Sequence, residues 1–226
     1  MNPRIEPRKY RPTRSQSILR WSRYPFFIVG ILALSYCATV LLDTWMYQVY
    51  ETWRFQRALK GSQTSARSVE QLASPPLPAR AEADRARAES FGIDGHTGSP
   101  LGRIEISSIG LAAMIAEGTD RRTLRRAVGH IPGTPLPGQP GNVVITGHRD
   151  TFFRGLRNIH KDDEITLTTL YGSYRYRVDF TEVVEPTANE VLNDSAGAIL
   201  TLVTCYPFYF VGPAPKRFVV RAHRIS

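Results

Sequence analysis

SYRYRVDFTEVV, residues 173–184, alternates: Tyr174, Tyr176, Val178 and Phe180 fall on one side, Arg175, Arg177 and Asp179 on the other. A period of two belongs to an extended strand with one buried face, since successive side chains point to opposite sides of a sheet. Six further short apolar runs flank it, at 101–106, 111–115, 142–146, 164–170, 198–205 and 216–223, with Gly and Pro between them. Only 123–128 and 151–159 read as helical. Many short strands without regular intervening helices indicate an all-β fold over residues 99–226, an antiparallel barrel or sandwich.

Upstream of residue 99 the texture is different. Residues 25–42, PFFIVGILALSYCATVLL, carry no charge. Eighteen residues of helix rise about 27 Å, close to the roughly 30 Å of a bilayer's hydrocarbon core. Arg20 and Arg23 precede the run, Trp21 and Tyr24 stand at its start, and Trp45 and Tyr47 follow it. Basic residues on one flank and aromatics on both predict a single-pass anchor over 24–43, with residues 1–23 as a cytoplasmic tail. A cleaved signal is disfavoured, because the apolar region is long and Asp43-Thr44-Trp45-Met46 makes a poor cleavage site. Residues 44–98 read as an extracytoplasmic stalk. Its first part, 44–60, continues as an amphipathic helix that Gly61 is expected to stop. Residues 62–98, rich in Ser, Ala and Pro, then form a mobile spacer.

The formal charge of +9 invites a nucleic-acid reading, which its distribution removes. Residues 1–23 carry seven basic side chains and one acidic, 24–98 balance at seven each, and 99–226 hold fifteen against twelve. Most of the excess lies in the tail, and the folded part is too weakly basic for a phosphate-tracking surface.

With Cys37 inside the apolar run, Cys205 is the folded domain's one cysteine. It closes the strand AILTLVTC, where a loop gives a substrate access. A thiol becomes a nucleophile candidate with a histidine partner. His148, at the end of NVVITG, is the best placed, because two apolar strands running side by side in parallel would bring their ends together. His96 lies in the stalk, His130 in a loop before Ile131-Pro132-Gly133, His160 before the acidic turn 162–164, and His223 near the C-terminus. A cation for an oxyanion is offered by Arg217, at the start of KRFVVRAHR, with Arg221 its rival on the same strand face.

These segments resemble the sortase family. TLVTC (201–205) is similar to its TLxTC signature, TGHRD (146–150) to its histidine segment, and KRFVVRAHRI to its arginine strand, in the family's order. IPGTPLPGQPGNVVITGHRDTFFRGL is especially similar to class D members. The resemblance implies an eight-stranded sortase β-barrel with short helices, and a cell-surface cysteine transpeptidase acting on secreted proteins with a C-terminal LPxTG- or LPxTA-like signal. Such an enzyme cleaves after Thr, holds the acyl group on Cys205, and passes it to an amine such as a cell-wall peptide or pilin lysine. By motif match Cys205 is the nucleophile, His148 the acid/base and Arg217 the oxyanion stabiliser.

Thr204, Asp150 and Tyr206 are further candidates for substrate or oxyanion contacts. No cofactor is expected; Asp162, Asp163 and Glu164 offer the one place for calcium. Free thiol and imidazole titrate near about 8.5 and 6.5, so the neutral pair predominates, predicting slow turnover with a bell-shaped pH profile. Two other readings remain open from sequence alone: a surface cysteine peptidase that mainly hydrolyses, and a non-catalytic anchored envelope module.

Overall fold

The computed structural model describes residues 14–70 and 96–226 apart from 194 and 211, with backbone only for 14–23 and 58–70. The alternation at 173–184 becomes one stave of a closed eight-stranded barrel, ordered β1-β2-β3-β4-β7-β8-β6-β5. The strands are β1 (Pro100–Ile106), β2 (Leu111–Glu117), β3 (Val128–His130), β4 (Gly141–Gly147), β5 (Glu164–Thr168), β6 (Ser173–Val184), β7 (Ala198–Tyr206) and β8 (Lys216–Arg224). Two neighbouring pairs, β2 with β3 and β4 with β7, are parallel, so the barrel is not wholly antiparallel. Closure pairs the sheet edges. Inward side chains from every wall, among them Ile104, Ile115, Ile145, Leu167, Tyr176, Leu202 and Val220, form one core.

Three local expectations are corrected. Phe180 does not share the inward face of Tyr176 and Val178. The register shifts between Val178 and Phe180 opposite β8, which leaves Asp179 as an extra residue and turns Phe180 outward, 48% exposed. A bulge of this kind reverses the facing of every later side chain. Second, the helix expected at 123–128 is α2, Arg121–Arg126, and Val128 opens β3. Asp120 starts α2 by accepting bonds from the Arg122 and Thr123 amides, and its carboxyl pKa is lowered by the Thr123 hydroxyl first and by those amides after it. Third, 151–159 folds as a 3₁₀ turn, Phe152–Asn158, seated on the core by Phe153 and Leu156.

The chain divides after Asp43 into two units, the second of which contains the barrel. One long helix, α1 (Arg14–Glu70), runs through both. Gly61 does not stop it: a single helical glycine costs only about 1 kcal/mol, which the neighbouring turns offset. In the first unit, the apolar side chains of 26–42 are exposed and the segment is long and apolar enough to cross a membrane. In the second unit, the turns from Thr44 pack on the barrel. The segment read as the start of a stalk is thus part of the compact domain. Phe55 is buried with Met114, Ala116, Ala127 and Leu170. Gln48 accepts from the Met114 amide (3.1 Å) and donates to the Arg126 carbonyl (2.5 Å). The spacer expected at 62–98 lies largely outside the described residues. Phe55→Ala should destabilise the domain by about 3 kcal/mol; thermal unfolding, with tryptic cleavage at Arg54 and Arg57 as the local readout, checks it.

Candidate active site

The parallel pairing of β4 with β7 brings the reactive residues together. Gly147 stands opposite Thr204, and the next residues along are His148 and Cys205. Neighbouring strands lie about 4.8 Å apart. Across the antiparallel seam, Cys205 stands directly opposite Arg217. Residues in such a cross-strand pair project to one face. Thiol, imidazole and guanidinium thus share one rim of the barrel, from β7, the β4 end and β8.

Hydroxyls fix this rim. Thr146 Oγ1 donates to the Val203 carbonyl (3.0 Å), and Thr204 Oγ1 donates to the Gly147 carbonyl (2.7 Å). Both bonds join β4 to β7 just before the reactive pair. In this arrangement the buried Thr204 hydroxyl is spent inside the barrel and holds the pair in register. The His148 carbonyl accepts from the Thr151 and Phe153 amides (3.4 and 3.1 Å), turning the chain sharply and leaving the imidazole exposed. Cys205 is half-buried.

The two arginines on β8 separate clearly. Arg217 lies at the rim, its Nη1 donating to the carbonyls of Lys216 (2.9 Å) and Ala214 (3.3 Å). Arg221, opposite Thr201, donates to the Thr201 hydroxyl (3.1 Å) and the Val191 carbonyl (3.3 Å). Thr201 in turn donates to Asn142 Oδ1 (2.6 Å), and Asn142 Nδ2 holds the Val191 and Asn193 carbonyls. Arg221 therefore belongs to a network that clamps the chain before β7, away from Cys205.

The other candidates divide. Tyr206 stacks on Phe218 (centroids 6.3 Å) and meets Phe208 edge-on (6.0 Å), packing beside the thiol under the rim. Tyr209 and Phe210 are exposed, at 76% and 44%, so the aromatic loop supplies both packing and open surface. Asp150 is exposed, and among the described residues neither a hydrogen bond nor an ion pair joins it to His148. The acids of 162–164 do not converge. Asp163 accepts from the His160 amide (2.8 Å), while Glu164 pairs with Arg175, which lowers its carboxyl pKa, and with Arg177 (3.6 Å). No group of three or more His, Cys, Asp or Glu side chains able to hold a metal occurs among the described residues.

One residue escaped sequence reasoning. Arg149, next to His148, donates Nη1 to the Pro207 carbonyl (2.9 Å) and Nη2 to the carbonyls of Phe210 (2.8 Å) and Gly212 (3.1 Å). Its guanidinium also lies over the Phe210 ring, 5.8 Å from the centroid. It straps the loop after Cys205 to the histidine turn. Backbone acceptors leave no mark in side-chain identity; the one signal was its place inside TGHRD. Arg149→Ala should lower kcat/KM by about ten- to a hundredfold through small misplacement. Lys, a point donor, recovers little of that. Loop cleavage by limited proteolysis should rise while Tm stays nearly constant.

Cys205, His148 and Arg217 thus share one rim of a closed eight-stranded barrel. A profile of the sortase domain matches residues 104–225. The chain is 29% identical over 205 residues to sortase D of Bacillus subtilis, covering 89% of this chain and 98% of that protein. It is also similar to the solved sortase D5 transpeptidase of Clostridium perfringens, with 29% identity, TM-score 0.56 and coverage of 63% and 89% of the two chains. Sortase C-1 of Actinomyces oris is similar at 29% identity and TM-score 0.53, over 76% of this chain and 98% of that one. The protein belongs to the sortase family, is class D-like, and is a cysteine transpeptidase.

Proposed function

We propose that this protein is a membrane-anchored sortase that cuts an LPxTG- or LPxTA-like sorting signal after its Thr and joins the released carboxyl to an amine at the cell surface. The observation that carries the reading is the register: Cys205 opposite Arg217, and one residue past the Thr204–Gly147 pair that leads into His148.

The chemistry follows from those three side chains. The Cys205 thiolate attacks the Thr carbonyl carbon and forms the C–S bond, while negative charge on the oxygen is met by the Arg217 guanidinium. His148 gives its proton to the departing amine as the C–N bond breaks. An incoming amine then attacks the thioester and loses a proton to His148 as the C–S bond breaks, and Cys205 leaves as the thiolate, which restores the starting pair. The thioester conserves the reactivity of the cut bond, so no nucleotide is consumed. Nucleophile, acid and cation are all protein groups, so no metal or cofactor is proposed. Residues 24–43 would cross the membrane with the basic tail inside and the barrel outside.

The test incubates the protein with LPxTG and LPxTA peptides and records intact mass. An adduct on wild type, absent from Cys205→Ala and chased to ligated peptide by added amine, is expected. Hydrolysis alone in excess amine would favour the peptidase reading, and absence of any adduct on an alkylatable Cys205 would overturn the proposed signal.

A further inference from the structure

The turn after His148 carries a face that the three reacting side chains leave unused. Phe152–Asn158 is a 3₁₀ helix, in which every third side chain stands in one line. Phe153, Leu156 and Ile159 make the buried line that seats the turn on the core. The next line holds Arg154, Arg157 and His160, all exposed. Between residues 149 and 161, Arg149, Arg154, Arg157 and Lys161 stand against one carboxylate, that of Asp150, which precedes the helix. Among the described residues no carboxylate pairs with Arg154 or Arg157.

This row is tied to the reactive rim. The Arg157 guanidinium lies over the Tyr209 ring, 5.2 Å from its centroid. Tyr209 follows Cys205 by four residues, so the two Cα atoms are at most about 14 Å apart. A stacked guanidinium is engaged by its face, and its in-plane N–H groups stay available to a carboxylate. Tyr209 is itself 76% exposed and holds Arg157 without covering it. The occupant follows from the reaction. His148 protonates the departing amine and deprotonates the incoming one, so both pass the histidine, while the acyl half stays on the Cys205 sulfur. The departing half must be released for turnover. The acceptor, by contrast, must be held against water competing for the thioester, and groups a few residues from its amine reach the row.

We propose that Arg154 and Arg157, the latter held beside the rim by Tyr209, bind carboxylates carried by the amine acceptor, so that the second substrate is an acidic peptide amine. The proposal rests on the transfer reading above and names the chemistry of its acceptor. Two exposed ion pairs of this kind favour such an acceptor by about fivefold over its uncharged equivalent.

The full chain carrying Cys205→Ala, in neutral detergent, supplies a binding test that needs no turnover. The tetrapeptide amide Gly-Gly-Glu-Glu should bind about fivefold tighter than Gly-Gly-Gln-Gln, and added salt should shrink the difference. In ligation by the acylated wild-type chain the Glu peptide should be favoured by a similar factor. Arg154→Ser/Arg157→Ser should remove the preference, and Arg154→Glu/Arg157→Glu should transfer it to Gly-Gly-Lys-Lys, with unfolding temperature and Cys205 alkylation confirming that each variant folds. Equal affinity for the Glu and Gln peptides overturns the proposal, as does a double variant that loses both peptides alike. It also falls if acidic residues placed after the scissile bond speed thioacyl formation while acceptor affinity ignores charge. Hydrolysis alone in excess of every amine defeats the transfer reading on which this one rests, whereas ligation of the Glu and Gln peptides at one rate defeats this one alone.

Discussion

Cys205→Ala, which removes the proposed nucleophile, should eliminate thioacyl formation and ligation and leave the barrel's unfolding temperature almost unchanged. The thiol is half-buried at the end of β7, so its loss opens no sealed cavity, and rim substitutions of this kind stay within about 0.5 kcal/mol. In the proposed chemistry activity depends on the C–S bond, for which no neighbour substitutes. His148→Ala should lower turnover by about 10²- to 10⁴-fold, the range of positioned proton transfer. Arg217→Ala should cost about 10²- to 10³-fold in kcat, as loss of an oxyanion donor does. Combined variants should lose little beyond Cys205→Ala, because the three act as a unit. Arg221→Ala supplies the contrast, since its partners are Thr201 and Val191: lower stability with near-normal kcat per folded molecule. Steady-state ligation beside thermal unfolding separates these outcomes. Equal kinetic losses at Arg217 and Arg221 would remove the assigned role of Arg217.

Removing one partner of the Glu117–His130 pair should be the most damaging structural change away from the rim. His130, expected in a loop, ends β3 and is buried, with Nδ1 2.7 Å from Glu117 Oε2 and Nε2 2.9 Å from the Pro135 carbonyl. The Thr134 hydroxyl, 3.0 Å from Nε2, gives its own hydrogen to the Ile131 carbonyl and so accepts from the ring. The pair ties the parallel β2–β3 seam, where Glu117 stands opposite His130, to the loop entering β4, the strand that ends at His148. Glu117→Ala or His130→Ala leaves one buried polar group unpaired, at a cost of about 3 to 5 kcal/mol. In a domain of this size that lowers Tm by roughly 10 °C or more. Glu117→Met/His130→Leu, which removes both groups, should recover much of the loss. If each single variant unfolds within about 2 °C of wild type, the pair contributes no more than a surface bridge.

The strands were legible in the sequence because their signal is local. Alternation at 173–184 and the continuous apolar runs ending at His148 and Cys205 follow from which side chains must leave water, whatever the rest of the chain does. The same holds for the uncharged run 25–42, whose length alone makes it fit to span a bilayer. Three ordered motifs also marked the family and pointed to His148, Cys205 and Arg217.

Other features depended on partners distant in the chain. The bulge at Asp179 is a mismatch between β6 and β8, and neither strand carries it alone. Val128–His130 is too short to show a period and is a strand only because β2 and β4 offer it hydrogen bonds. Arg217 and Arg221 share a periodicity, and only register distinguishes the one opposite the thiol from the one opposite Thr201. Arg149 holds backbone carbonyls, which every residue possesses, so no residue type announced its partners. Sequence by itself determined which segments are buried and which groups can react, since burial and reactivity belong to side chains. Tertiary structure alone decided which of those groups face one another, because register and loop closure are set by hydrogen bonds between segments tens of residues apart.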